Sequence, residues 1–518
     1  MHNKNCNIKK MYSESVLFAG ILLYSFFLLF FCSTSSPLYY ANLSADANVY
    51  FTLGKGLFSG LVPYRDLFDN KGPLVYFIYG VGFLISNNSF FGMYILESVS
   101  AAFSIYFIYK MVRLFIPVKQ AWISIFIYSS FLLNSQVFGQ GGAVEELMLP
   151  FMAAGFYCFF RIFLKTQTQS VGFKTFFLLG LCTAAMILMK INNATVLFPL
   201  IGIAFLMFLV NKQYKTVAIG IIGGLLGAAL IATPFLIYLY KTASFFDCYR
   251  GYIEFNMSYT SVRFGVGTAL ALFKNLFRAT FEVYPMWVMI IWGIVIFTVS
   301  NQYFTCWGRT AFCFSFLLLL FAVYSAEQSY SYYMISFTIF TVFGIIILLD
   351  FLAVCWERRI YAYILVLCFF VIPLNKNILY SKLFAAEPSQ VKFAKIILES
   401  GFADLINYRS HELGVQTAAG IIPSSKYFYR MNISEERFPE SFEEQDRIVA
   451  NSEIPFIVIR GIPDLQKKFP VLYDTLMENY VIVSEIREKI PENALPEYRT
   501  LLKAKNSESK KQKEPDLE

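Results

Sequence analysis

Long apolar stretches separated by short polar breaks run from residue 14 to residue 374, near 14–33, 89–109, 120–137, 147–164, 172–189, 193–211, 216–240, 284–300, 310–325, 332–353 and 360–374. Stretches of about 17 to 25 apolar residues are long enough, as helices, to cross a ~30 Å hydrocarbon core. The pattern predicts a polytopic α-helical membrane protein of about eleven transmembrane helices. After about residue 375 charges come every few residues and no apolar run is long enough to span. There Lys426–Tyr429 and Ile454–Ile459 read as strands, while 389–400 and 464–479 read as amphipathic helices. The expected organisation is a membrane domain over 1–374, a small α/β domain over 375–502, and a disordered charged tail over 503–518, too poor in apolar residues to bury a core.

Composition agrees. Hydrophobic residues make up 57% of the 518 and charged ones only 15%, with a mean hydropathy of +0.55, a balance that excludes an ordinary soluble chain. The net charge of +8 comes from Lys and Arg scattered between apolar runs, so it is a topology signal and not a nucleic-acid patch. Nine cysteines show no close CxxC pair, and only His2 and His411 are present. Zinc sites, redox motifs and His-based triads are thereby set aside. Any metal would sit on carboxylates, a divalent cation being the one cofactor the residues leave open.

The bases give an orientation. Placing the N-terminus inside gathers Lys110, Arg113 and Lys119, then Arg161, Lys165 and Lys174, then Lys212 and Lys215, then Arg309, then Arg358 and Arg359 into short inner loops, as the positive-inside rule requires. Lys4, Lys9 and Lys10 precede the first stretch, which has a long apolar core and no A-x-A site after it, so it reads as an uncleaved signal anchor in the plasma (inner) membrane. The loop 34–88 and everything after about 375 then lie on the extracytoplasmic side.

That first outer loop carries the most chemistry. Asp46 opens a segment whose apolar positions, Val49, Tyr50, Leu53 and Leu57, suit a helix lying along the membrane surface, and Asp46 could simply cap it. Next come Pro63-Tyr64-Arg65-Asp66 and Asp69-Asn70-Lys71-Gly72-Pro73-Leu74. The second outer loop reads Gly139-Gln140-Gly141-Gly142-Ala143-Val144-Glu145-Glu146. Its two carboxylates either complement a helix dipole or place a second acidic element beside Asp46. Lys71 and Arg65 are open to a reading as interfacial anchors. Glu97 and Lys190 fall inside apolar runs, where a charge is costly and hence a functional candidate or an interior partner. Arg250, Arg263, Lys274 and Arg278, with Tyr249, Tyr252 and Tyr259, suit sugar and phosphate contact or a solvated helix. His411 reads as structural, and the C-terminal segment shows no catalytic or ligand spacing.

Together, the leading Asp46, the helix ending in Ser59-Gly60, the Tyr64-Arg65-Asp66 turn and the Lys71-Gly72-Pro73 element resemble the GT-C membrane glycosyltransferases. The nearest group is the protein O-mannosyltransferases and aminoarabinose transferases, including the bacterial branch labelled glycosyltransferase family 39. The resemblance implies a GT-C-like fold and a cell-envelope enzyme that moves a hexosyl or pentosyl unit, with inversion, from a polyprenyl-phosphate carrier to a glycan, lipid or protein acceptor. It implies Asp46 as the base, Lys71 as the contact to the carrier phosphate, and Glu145 or Glu146 as the acidic element of the second loop. Where many relatives carry a second acid this chain has Ala47.

Elementary chemistry fits those roles. A hydroxyl nucleophile must lose its proton as it attacks, which a carboxylate in an apolar surround can accept. The phosphate leaving group needs cations such as Lys71 and Arg65, which Asp66, Asp69 and Tyr64 could support. A lipid-linked polysaccharide polymerase or a flippase are the alternatives; the first would favour Arg in its main loop, and the second charges at the bilayer midplane.

Overall fold

The computed structural model describes residues 2–165, 171–260, 266–325, 330–354, 358–489 and 496–506. Arg263, the expected tail beyond 506 and the side chains of Lys4, Lys9, Lys10, Tyr259, Arg358 and Arg359 lie outside the described residues.

Among the described residues seven helices are long and apolar enough to cross a membrane: Glu14–Cys32, Phe91–Val112, Val144–Phe163, Ile191–Val210, Tyr214–Lys241, Cys306–Tyr324 and Ser331–Leu352. Each matches an expected span. The expected helix at 284–300 is instead one limb of a pair, Thr268–Glu282 and Tyr284–Val299, bent by 110°, and counting that pair as one crossing gives up to eight. The other three expected spans are shorter. The stretch 120–137 breaks into Val118–Ala121, Ile123–Leu132 and Ser135–Phe138, 172–189 becomes Phe173–Ile187, and 360–374 contains Arg358–Phe369. Apolar composition alone set the expected lengths; turns at Trp122 and Leu133 divide the first of these.

Helices are named as follows: α1 (His2–Cys32), α2 (Ala45–Phe58), α3 (Pro73–Ile85), α4 (Phe91–Val112) and α5 (Val144–Phe163). α1 packs on α4, and α4 on α5. Much of the aromatic excess is interior: Phe156, Phe159, Phe160, Phe304, Phe312, Phe340 and Phe343 form one buried cluster, with Phe312 and Phe343 ring centres 4.2 Å apart. Offset and edge-on ring contacts of this kind add to the burial term. Phe173–Ile187 and Tyr214–Lys241 meet along glycines, since a Cβ on Gly180 would lie 2.0 Å from the Gly224 carbonyl oxygen.

The C-terminal region holds a four-stranded sheet in the order β1 (Leu405–Asn407), β2 (Phe456–Arg460), β4 (Glu497–Ala504), β3 (Tyr480–Glu488). β1 runs parallel to β2, and β4 is antiparallel to both β2 and β3. β1 and the first four residues of β2 are buried, as expected for a strand run covered on both faces. Helix Ser389–Glu399 matches its expected range, but 464–479 divides at Pro470 into Ile462–Lys468 and Pro470–Asn479, because proline starts a helix readily and cannot continue one. Lys426–Tyr429, expected as a strand, is irregular. Lys503 and Ala504, expected in the tail, pair within β4.

The sheet region sits on the first outer loop. Asn377 Nδ2 donates to the Cys32 and Gly139 carbonyls, each at 2.7 Å. Phe68 N–H donates to the Lys426 carbonyl at 3.0 Å, and the Phe68 ring stacks on Phe438 with centres 5.3 Å apart. Lys55 Nζ donates to the Gly420 carbonyl. These contacts cover α2: residues 47–56 are all buried, between α3 on one side and the C-terminal region on the other.

Candidate active site

A cavity of about 490 Å³ opens where the membrane helices meet the C-terminal region. Its walls come from the start of α2, the Asp69-Asn70-Lys71 turn, the Lys190–Asn193 junction, Tyr252–Met257, the Tyr330–Tyr333 segment, and several C-terminal loops.

Asp46 stands in the first turn of α2, yet it is not the cap. Ser44 Oγ takes that role, accepting from Ala47 N–H at 3.3 Å. The Asp46 carboxylate faces the cavity and accepts a hydrogen bond from Tyr332 OH at 2.9 Å. Its neighbour Ala47 is fully buried against the second outer loop. Gly142, at φ +85°, brings that loop so near that a Cβ there would lie 2.9 Å from Ala47 Cβ and 2.8 Å from Tyr79 OH. Gly142 therefore serves close packing on α2 and α3.

Lys71 lines the same cavity. Its Nζ donates to Asn70 Oδ1 at 2.6 Å and stands 5.7 Å from the Tyr50 ring centre. The turn beneath it is fixed by two tyrosines: Tyr64 OH donates to the Lys71 carbonyl at 2.6 Å, and Tyr76 OH accepts from Lys71 N–H at 3.0 Å. Asp69 supports the turn without touching the Lys71 ammonium, accepting from Tyr76 OH and from Tyr429 OH, both at 2.9 Å. Since Tyr429 belongs to the C-terminal region, this carboxylate ties the two parts of the wall together. Burial pushes the Tyr429 phenol well above its ordinary pKa, so it stays a donor.

Arg65 does not join Lys71 on the cavity wall. It is half-exposed, bonded to Asp66 Oδ1 and to the Thr242 carbonyl, each at 3.1 Å. Asp66 also accepts from Val62 N–H at 2.7 Å, so Arg65 and Asp66 close the turn and are not placed to touch a ligand there.

The two glutamates of the second loop separate. Glu146 Oε2 and Oε1 accept from Gly142 and Ala143 N–H at 3.2 and 3.1 Å, capping α5. Glu145, 2% exposed, forms an ion pair with Lys190 Nζ at 2.5 Å. Lys190 in turn lines the cavity and lies 4.3 Å from the Tyr333 ring centre. Glu97 has an interior role, accepting from Ser33 and Ser35 hydroxyls at 2.7 and 2.6 Å. In the third loop Arg250 pairs with Glu254 and Glu440, Arg278 pairs with Glu282, and among the described residues singled out there Tyr252 lines the cavity.

Sequence reasoning missed most of the far wall. Tyr330, Tyr332 and Tyr333, and from the C-terminal region His411, Glu412, Tyr429, Asn432, Arg460 and Arg499, all line the cavity. The tyrosine cluster just before the apolar run at 334 was a usable signal. The C-terminal residues come from separate loops and from β2 and β4, and share no spacing. His411, expected to be structural, is held by the Arg430 carbonyl at 3.0 Å from Nδ1 and also faces the cavity. Among the described residues no group of three or more His, Cys, Asp and Glu side chains converges as a metal site would.

The family model for dolichyl-phosphate-mannose-protein mannosyltransferases matches residues 70–238, a stretch that begins after Asp46 and includes Lys71, Glu145 and Lys190. No curated protein matches the chain in sequence. In structure the chain superposes on ArnT from Cupriavidus metallidurans bound to undecaprenyl phosphate, with a TM-score of 0.60 at 10% identity, over 94% of this chain and 97% of that one. The apo state of the same ArnT gives a TM-score of 0.52 at 11% identity, over 95% and 98%. The fold is thereby defined: the chain has the GT-C fold, and its stretch 70–238 matches a family model of glycosyltransferases. Over 94% of its length its architecture is similar to that of ArnT.

Proposed function

We propose that this protein transfers a sugar, with inversion, from a polyprenyl-phosphate carrier to an acceptor on the extracytoplasmic face. One observation carries the reading: a carboxylate released from capping duty, Asp46, and a firmly held cation, Lys71, line a single cavity. The undecaprenyl phosphate bound to the structurally similar ArnT supports a carrier of that kind.

In the proposed step an acceptor hydroxyl oxygen attacks the anomeric carbon from the face opposite the phosphate. The bond from that carbon to the phosphate oxygen breaks with its electron pair, and the hydroxyl proton passes to Asp46. Tyr332 OH, bonded to Asp46 Oδ2, orients the carboxylate so that Oδ1 is available to the acceptor. The carrier phosphate goes from a monoanionic diester to a dianionic monoester as it takes that electron pair; Lys71 balances the added charge, so the departing oxygen needs no proton. Lys190 supplies a second cation on the cavity wall, its position fixed by Glu145.

Lys71→Met keeps the apolar stem and removes the charge. The donor KM should rise by roughly 10- to 100-fold, the scale of a charge-assisted hydrogen bond, with a smaller change in acceptor KM. Steady-state kinetics with a polyprenyl-phosphate sugar checks this, and an unchanged donor KM would remove Lys71 from phosphate binding.

The reading also requires a topology. The membrane domain over 1–374 has its N-terminus in the cytoplasm of a cell with this chain in its plasma (inner) membrane, and the α/β domain from 375 faces outward. Ser59 and Ser434 are both exposed, so cysteines introduced there should react with an impermeant maleimide in intact cells. Protection of either one would contradict the orientation.

A further inference from the structure

Three polar atoms on the wall shared by α2 and the C-terminal region have no hydrogen-bond partner although their residues are almost fully buried. They are Asn48 Oδ1, Glu412 Oε1 and Arg499 Nε, on side chains that are 2%, 1% and 6% exposed. All three residues line the cavity. Their other atoms are engaged. Asn48 Nδ2 donates to the Asn42 and Ser44 carbonyls at 3.0 and 2.8 Å, Glu412 Oε2 accepts from Gly414 N–H at 2.5 Å, and Arg499 Nη1 donates to Ser389 Oγ and Gln390 Oε1 at 3.1 and 3.2 Å. Gly414, at φ +81°, draws the groups together: a Cβ there would stand 3.3 Å from Asn48 Oδ1 and 3.1 Å from Gln390 Nε2. Any side chain at that position would intrude on this corner.

A buried polar group left without a partner costs roughly 1–3 kcal/mol, so three in one corner of a cavity point to a ligand that completes them. Asn48 Oδ1 accepts, Arg499 Nε donates, and Glu412 Oε1, on a carboxyl that burial pushes up to about 8, carries the proton at neutral pH and donates. Their complement is a pair of hydroxyls, one donating to Asn48 Oδ1, the other accepting from Glu412 Oε1 and from Arg499 Nε. We propose that Asn48, Glu412 and Arg499 form a subsite that reads two neighbouring hydroxyls of a sugar ring, on either the transferred sugar or the acceptor.

The assignment rests on the glycosyl-transfer reading of the cavity and adds to it the residues that select the sugar. The corner suits a neutral ligand. Burial pushes the Glu412 carboxyl up to about 8 and lowers the Arg499 pKa, while the Arg499 guanidinium is already balanced by Glu488 at 3.5 Å. A phosphate would find no net positive field here, whereas hydroxyls can donate and accept as each atom requires. Asn48 lies two residues beyond Asp46 on α2, so a sugar held here sits beside the proposed base.

Two variants keep most of the surrounding contacts. Glu412→Asp retains a carboxyl but draws it back from the corner by one carbon. Arg499→Lys keeps a cation beside Glu488 and deletes Nε. The first measurement is saturation-transfer NMR on the full-length protein in detergent, with methyl pyranosides of glucose, galactose, mannose and arabinose as probes. At least one should bind, its monodeoxy analogue at either of two adjacent carbons should bind about tenfold more weakly, and both variants should lose that discrimination. The second is KM in the transfer assay: a rise for the donor places the hydroxyl pair on the transferred sugar, and a rise for the acceptor places it there, with kcat changing less in either case. Absence of binding by every pyranoside, or variants that discriminate deoxy sugars as the parent does, would overturn the subsite. Sugar binding that persists in a protein without transfer activity would keep the subsite and sink the transferase reading instead.

Discussion

Asp46→Asn is expected to lower transfer by roughly 10²- to 10⁴-fold, the usual contribution of a positioned general base, with protein abundance and donor KM nearly unchanged. Asparagine has the same shape and can still accept from Tyr332 OH, which now donates at 2.9 Å. It also preserves the start of α2, because Ser44 performs the capping. A purely structural Asp46 would therefore tolerate the change. The outcome separates the two roles cleanly: what the substitution removes is the proton acceptor and its charge. Transfer by membranes carrying matched amounts of each protein is the measurement, and activity within a few-fold of the parent would end the catalytic assignment.

The second large effect concerns the buried pair of Glu145 and Lys190. Glu145→Gln leaves Lys190, with 17% of its side chain exposed, facing a neutral partner. Removing one member of a buried ion pair costs about 3–5 kcal/mol, whereas removing both together costs far less. The single variant should lower the thermal unfolding midpoint in detergent and impair transfer. Glu145→Gln combined with Lys190→Met should recover most of the stability and little of the transfer, since Lys190 faces the cavity. Glu146→Gln should be mild in both assays, because glutamine retains one oxygen for the N–H groups that Glu146 caps. Equal effects of the two single substitutions would contradict this division of labour.

What could be read from the chain and what could not follows from where the contacts lie in sequence. Spans such as Phe91–Val112 and Tyr214–Lys241 are set by length and apolarity, which are local properties, and they fall where the hydropathy pattern puts them. Asp46 and Lys71 stood out because a compact loop holds both. The 110° bend falls just before Pro285, and the last break in 118–138 is capped by Asn134, local marks that a reading by apolar length alone passes over. The partners of Arg65 divide in the same way: Asp66 is its neighbour in sequence, whereas the Thr242 carbonyl reaches it from far along the chain. Tyr332 meets Asp46 across 286 residues of chain, and Glu412 and Arg499 reach the same cavity from a loop and from β4 of the C-terminal region. No periodicity encodes such meetings. The burial of α2 was likewise invisible, because part of its cover is the C-terminal region, far along the chain.

The most direct test of the central claim is turnover of an undecaprenyl-phosphate-linked sugar by the purified protein, followed as release of free undecaprenyl phosphate in the presence of a membrane extract that supplies the acceptor. The account predicts time-dependent release by the parent protein, formation of product with inverted anomeric configuration, and loss of both in Asp46→Asn. Release that continues undiminished in Asp46→Asn, or a product of retained configuration, would contradict it.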